Sequence, residues 1–307
     1  MTEVMHGEFA ILGELLPPFD LTDLAAFRRF VATRPPRELT THPDLEVRHL
    51  SVPGDPPVPI RLYLPQDRQV PSPGLVYCHG GGFVVGTLDS DHERCVRLAA
   101  EAGVVVVSPD YRLAPGHRYP AGLDDCTAAL SWLHDNAADL GVDPARLALG
   151  GTSAGGALAA GAALRSRDEG GPPVALLLLS CPVTDTSLSG ASIREFWDCA
   201  GWNGQSTTVM WQHYLPTDGR PAPYVAPVQA ASLRDLPPTE IVIADLDPLR
   251  DEGLALAARL QQDDVNVTVH HFRGVPHGFD ALLPQAEVSA RAVSTQVRRL
   301  AELATRT

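Results

Sequence analysis

Three residue types that together can activate a hydroxyl lie far apart in this 307-residue chain, each inside a short, strongly marked stretch. The first is Gly151-Thr152-Ser153-Ala154-Gly155, set between the apolar run Leu147-Ala148-Leu149 and a run of small residues ending at Leu164. Glycines on both sides of a serine permit a strand-to-helix turn sharp enough to lift the side chain above a sheet. Ser153 is therefore the candidate nucleophile. A serine hydroxyl is weak at neutral pH, so the reading demands a base, a group that orients the base, and donors for an oxyanion. The competing readings of the segment are a packing junction or a phosphate loop. Its glycines are followed by no Lys-Ser or Lys-Thr, and it has no G-x-G-x-x-G register.

The oxyanion donors are expected from His79-Gly80-Gly81-Gly82-Phe83, directly after the apolar run Leu75–Cys78. Consecutive glycines can turn several amides to one point, because no Cβ blocks the approach of a substrate. The expected donors are the N–H groups of Gly81, Gly82 and Ala154. A dinucleotide loop with Asp110 on the next strand is the rival, but Val85 stands near where the third glycine belongs and Val84-Val85 is a poor helix start. A glycine loop needed only for packing is the remaining alternative.

Asp247 follows the run Ile241–Ala244 and is the expected orienting acid, with Asp245 as the fallback. The plainer reading makes Asp247 an N-cap with Pro248 at the first helical position, and Asp251 and Glu252 solvated acids of the first turn. His277, in Gly274-Val275-Pro276-His277-Gly278-Phe279, is the expected base. His270 and His271 fall within the preceding strand and read as structural. Ser153, Asp247 and His277 occur in the chain order Ser, Asp, His, each after a predicted strand, as a hydrolase with this turn requires. Since the base must be neutral to accept a proton, activity is expected to fall as pH drops through the histidine range near ~6.5.

Residues 46–52 and 59–64 alternate apolar and polar and predict an antiparallel pair at a sheet edge. Solid apolar runs at 75–78, 104–107, 146–149, 174–179, 241–244 and 267–269 predict parallel strands buried on both faces. Helices are expected near 21–31, 89–102, 121–139, 153–167, 248–262 and 285–304, the first capped by Asp20 or Thr22. The fold class is α/β: a mostly parallel sheet of about eight strands between layers of helices. Almost sixty residues separate the runs at 174–179 and 241–244, far more than a crossover needs. This insertion holds Trp197, Trp202 and Trp211, three of the four tryptophans, with Phe196 and Tyr214. It predicts short helices near 190–199 and 206–214. Together with residues 1–45, the segment 185–227 is expected to cap a catalytic domain formed by 46–184 and 228–307, its aromatics lining an apolar pocket.

The net charge of −13 argues against nucleic-acid and anionic-lipid surfaces. Five scattered cysteines without a C-x-x-C pair signal neither a disulfide framework nor zinc. The acidic N-terminus and the lack of a long apolar run predict a cytoplasmic protein without stable membrane association. No cofactor and no metal is expected.

Together, His79–Phe83, Asp110–Pro115, Tyr119–Asp125, Gly150–Gly156, Asp247–Glu252 and His277–Phe279 make the chain resemble the hormone-sensitive-lipase-like esterases (bacterial family IV) of the α/β-hydrolase fold. The resemblance implies a serine carboxylesterase for short- to medium-chain acyl esters, with Ser153, Asp247 and His277 reacting and Gly81, Gly82 and Ala154 holding the oxyanion. Amidase, deacetylase or lactonase chemistry on the same residues, or a non-catalytic small-molecule receptor, are the alternatives; a homodimer is plausible. Two departures stand out. Thr152 occupies a place where many members carry an acid, which resembles the GTSAG subgroup, and Gly116 replaces a common acid after Leu113-Ala114-Pro115.

Overall fold

The computed structural model describes residues 5–10, 16–32, 39–218 and 222–305. Residues 1–4, 11–15 and 33–38 of the expected N-terminal segment, including the Pro35-Pro36 break, and 219–221 of the insertion lie outside the described residues. Helix α1 covers Leu24–Ala32. Its first turn is capped by Asp23, whose carboxylate accepts the N–H of Ala26, while Asp20 accepts that of Thr22 instead. The expected cap is thus shifted by one to three residues.

Eight strands follow: β1 Leu45–Val52, β2 Val58–Pro65, β3 Ser72–Cys78, β4 Val105–Pro109, β5 Val142–Thr152, β6 Leu176–Ser180, β7 Thr239–Leu246 and β8 Val267–Pro276. They form one sheet in the order β1-β2-β4-β3-β5-β6-β7-β8. Only β1–β2 and β2–β4 are antiparallel. Strands β3, β4 and β6 are buried along their whole length, which explains their unbroken apolar sequence.

The sheet is covered by α2 His92–Ala102, α3 Ala121–Asp135, α4 Ala154–Glu169, α7 Arg250–Gln262 and α8 Glu287–Thr305. Between β6 and β7 the insertion supplies α5 Ala191–Glu195 and α6 Gly204–Tyr214. Helix α3 buries Leu123, Cys126, Leu130 and Leu133 on one face, as its periodicity predicts. Helix α4 is made of small residues because it lies almost against the sheet. A Cβ on Gly155 would come within 2.0 Å of the Cys78 carbonyl oxygen. That contact draws the start of α4 down onto the end of β3.

Strand register aligns the loops that matter. Cys78 pairs with Gly151 and Thr152 with Ser180, so the loop after β3 and the turn after β5 leave neighbouring strands at one level. At the other side, Leu246 faces Pro276, which sets Asp247 beside His277.

Candidate active site

The turn after β5 is tight. Ser153 has φ 55° and ψ −117°, a left-handed conformation that a side chain makes costly by about 1–2 kcal/mol. Backbone hydrogen bonds hold it there: its N–H donates to the Ser180 carbonyl at 2.8 Å, and its own carbonyl accepts from Gly156 and Val183. The hydroxyl is consequently displayed at the N-terminus of α4, where Ala154 N–H has no partner among the described residues. Helix N-termini favour negative charge.

Strand β8 runs on to Pro276, further than its apolar run suggested, and delivers His277 immediately after its last residue. His277 Nδ1 lies 2.8 Å from Asp247 Oδ2, and Nε2 lies 3.0 Å from Ser153 Oγ. One tautomer satisfies both contacts, with Nδ1–H donating to the carboxylate and Nε2 accepting from the hydroxyl. Asp247 is almost fully buried, and its other oxygen accepts the N–H of Leu249 at 2.8 Å. The three side chains form a continuous hydrogen-bonded line able to move a proton off the serine.

Several expectations need correction here. Helix α7 starts at Arg250, so Pro248 is not its first residue and Asp247 ties down the preceding turn instead of capping the helix. The fallback acid Asp245 accepts the N–H of Gly274 and lies 3.4 Å from His271, away from His277. Glu252 is not solvated. It is buried, accepts the N–H of Thr184 at 2.6 Å, and burial, with Asp185 and Asp247 nearby, holds its carboxyl well above the usual range. The segment 248–252 reads as a polar helix start, but the insertion folds over it.

The loop after β3 adopts positive φ at Gly81 (132°) and Gly82 (58°), and their N–H groups have no acceptor among the described residues. Both glycines line a cavity of about 330 Å³ that also reaches Ser153 and His277. Another part of its lining is apolar, from Phe19, Phe27 and Val31 near the N-terminus and Trp202 of the insertion. The Trp202 indole lies 5.8 Å from the His277 ring and is oriented by Nε1–H donating to Thr207 at 3.0 Å. Of the five insertion aromatics expected at the pocket, only Trp202 lines it. Trp211 and Tyr214 are spent on the core, the latter stacked 3.8 Å from Phe83, and Trp197 is exposed. Composition located the aromatic insertion; side-chain direction separated its members. Phe27 carried no sequence signal beyond helical spacing, and Phe19 carried none.

The two departures differ in weight. Gly116 lies in an exposed turn where a Cβ would meet only ordinary contacts. Thr152 is buried, 2.9 Å from the Tyr77 hydroxyl and 3.3 Å from Asp91.

Five cysteines are free and buried. Among the described residues, one trio of possible metal ligands appears: Cys181, Asp247 and His277, with ligand atoms within 4.8 Å of one another. Two of its members are already committed to the hydrogen-bonded line, so an ion there would disrupt that line. No helix among the described residues is long and apolar enough to cross a membrane.

Comparison with known proteins bears on the family and the fold. A family model described as the α/β-hydrolase fold matches residues 75–281. Carboxylesterase NlhH of Mycobacterium tuberculosis is 38% identical over 305 residues, covering 94% of this chain and 95% of its own. Esterase LipI of the same organism is 39% identical over 244 residues, 78% of this chain and 76% of its own. Among solved structures, a bacterial heroin esterase superposes with a TM-score of 0.94 at 38% identity, covering 99% of both chains. Esterase LipW from Mycobacterium marinum gives 0.92 at 38% identity, covering 99% of this chain and 98% of its own.

Proposed function

We propose, starting from a chain that belongs to the hormone-sensitive-lipase-like family of the α/β-hydrolase fold, that this protein is a serine carboxylesterase acting on short- to medium-chain acyl esters. The observation that carries the reading is the buried line from Ser153 through His277 to Asp247, opening into a cavity with free glycine amides on one side and an apolar wall on the other.

In the first half-reaction His277 Nε2 takes the Ser153 proton as Oγ adds to the ester carbonyl, and the N–H groups of Gly81, Gly82 and Ala154 receive the oxyanion. His277 then gives that proton to the departing alkoxide, leaving the acyl group on Ser153. In the second half-reaction His277 takes a proton from water, the hydroxide adds to the acyl carbon, and the protonated imidazole returns its proton to Ser153 as the carboxylic acid leaves. Asp247 holds the tautomer and offsets the imidazolium charge in both.

Residues 1–45 and 185–227 act as the cap in this reading, and Thr152 beside Ser153 supports membership of the GTSAG subgroup. The protein works in the cytoplasm without a cofactor, as a homodimer or alone; light scattering on a sizing column separates these. Hydrolysis of a panel of nitrophenyl esters, anilides and lactones tests the assignment. Esters from two to about eight acyl carbons are expected to turn over fastest. A protein inert to all esters would remove the esterase reading, and one faster on anilides or lactones would move the assignment to those classes.

A further inference from the structure

Arg94 is a buried cation joined to several parts of the candidate site. The Arg94 side chain is 5% exposed, with Nη2 2.6 Å from Asp280 Oδ2 and Nε 3.4 Å from Asp91 Oδ1. Its Nη1 donates to Ser180 Oγ at 3.2 Å and to Gln296 Oε1 at 3.0 Å. Gln296 also donates to Ser180 Oγ, and the other three partners lead to different parts of the site. Asp280 lies three residues after His277. The main-chain carbonyl of Ser180 accepts the Ser153 N–H.

Asp91 reaches the other two parts. Its Oδ2 accepts the N–H of Gly80 at 3.0 Å, and its Oδ1 accepts the Thr152 hydroxyl at 3.3 Å. The Gly80 carbonyl, in turn, is held by His79 Nδ1 at 2.8 Å. Gly80 is thus fixed at both its N–H and its C=O. In a trans peptide the N–H of the next residue points opposite to that carbonyl, so clamping Gly80 C=O fixes the direction of Gly81 N–H.

We infer that Asp91, held by Arg94, is a positioning residue for oxyanion stabilisation: it anchors the Gly80–Gly82 loop to the turn that carries Ser153. The inference rests on the esterase reading above and extends it to a residue that touches neither Ser153 nor His277. It also accounts for Thr152. A carboxylate at that position would face Asp91 across the same short gap as a like charge, whereas a hydroxyl donates to it.

The test is catalysis by Asp91→Ala and Asp91→Asn, measured on nitrophenyl acetate per active site titrated with a phosphate triester that reacts with Ser153. Removing the acceptor is expected to lower kcat about 10²-fold with KM within about twofold, as a displaced donor costs far more in the transition state than in the ground state. The asparagine, which keeps a neutral acceptor, is expected to retain more activity than the alanine. A role in folding alone would lower the titrated fraction and the melting temperature but leave turnover per site unchanged. Asp91→Ala turnover per site within about fivefold of the parent would overturn the inference, and if the alanine variant does not fold, the same threshold applied to Asp91→Asn decides. Inactivity of the parent chain on esters would instead overturn the esterase reading, so the two failures are distinguishable.

Discussion

The two walls of the cavity are built by different means. On one side, Ser153, Asp247 and His277 hang from the ends of β5, β7 and β8, held by strand register and by backbone hydrogen bonds such as Ser153 N–H to Ser180. On the other, Phe19, Phe27 and Trp202 come from segments outside the sheet: the Phe19 N–H donates to the Gly201 carbonyl and its own carbonyl accepts from the Ser206 hydroxyl, which ties the N-terminal segment to the insertion, and Nε1–H orients the Trp202 indole. The difference teaches where chemistry and selectivity reside. Groups fixed by the register of the sheet keep the sub-ångström placement that proton transfer demands, while apolar side chains on segments outside it can be changed without touching the reacting atoms.

The largest effect that bears on this contrast belongs to Ser153→Ala. It should reduce ester hydrolysis by at least ~10⁴-fold with an unchanged melting temperature, because residues acting as one unit fail together. Asp247→Asn should cost about 10³–10⁴-fold, since an amide can stabilise the wrong tautomer of His277. Near-normal turnover in either variant would show that the sheet-borne wall is not where the reaction occurs.

Trp202→Ala should act on the opposite wall, shifting acyl-chain preference and KM by about tenfold while kcat changes only a few-fold; the loss of ring surface weakens binding in ground and transition states alike. Gly82 is where the two walls meet. A Cβ there would lie 2.4 Å from the Trp202 ring, at a φ of +58° that disfavours side chains. Gly82→Ala should therefore lose activity on its own and recover part of it when combined with Trp202→Ala. Strictly additive losses in the double variant would mean that the walls do not couple.

The smallest effect concerns stability. His79 is stacked on Tyr111 at 4.2 Å beneath the glycine loop, and burial pushes its imidazole below the ordinary value of 6.5. The folded state thus keeps His79 neutral while the unfolded chain takes up a proton below that pH. Stability should decline as pH falls beneath about 6.5, by up to ~1.4 kcal/mol per unit from this residue, until its folded pKa is reached. Denaturant melts of parent and His79→Asn between pH 7 and 5 check the sign: the variant's curve should be flatter.

Much of this was legible in the chain. Alternation and solid apolar runs located all eight strands, to within a few residues except at the end of β8, and G-x-S-x-G, the glycine loop and the Ser, Asp, His order marked the candidate groups. The boundaries that shifted did so where neighbours intervened. Strand β8 grows to Pro276 because β7 offers it a partner as far as Leu246. Glu252 looked like a first-turn surface acid and became a buried anchor for Thr184, because the insertion covers it.

What the sequence determined by itself is local: which segments bury both faces, where the backbone must turn through glycine, and which side chains have the chemistry to share a proton. Those properties follow from apolar runs and residue types within a few positions of one another. Only the tertiary structure decided that Asp247 and not Asp245 meets His277, that Trp202 and not Trp197 or Trp211 faces the cavity, and that Arg94 joins Asp91 to Asp280. Each is a choice between near-equivalent residues. It depends on strand register and on the direction of a side chain relative to elements from 30 positions away, as between Asp247 and His277, to far more, as between Arg94 and Asp280, information that no short window of sequence contains.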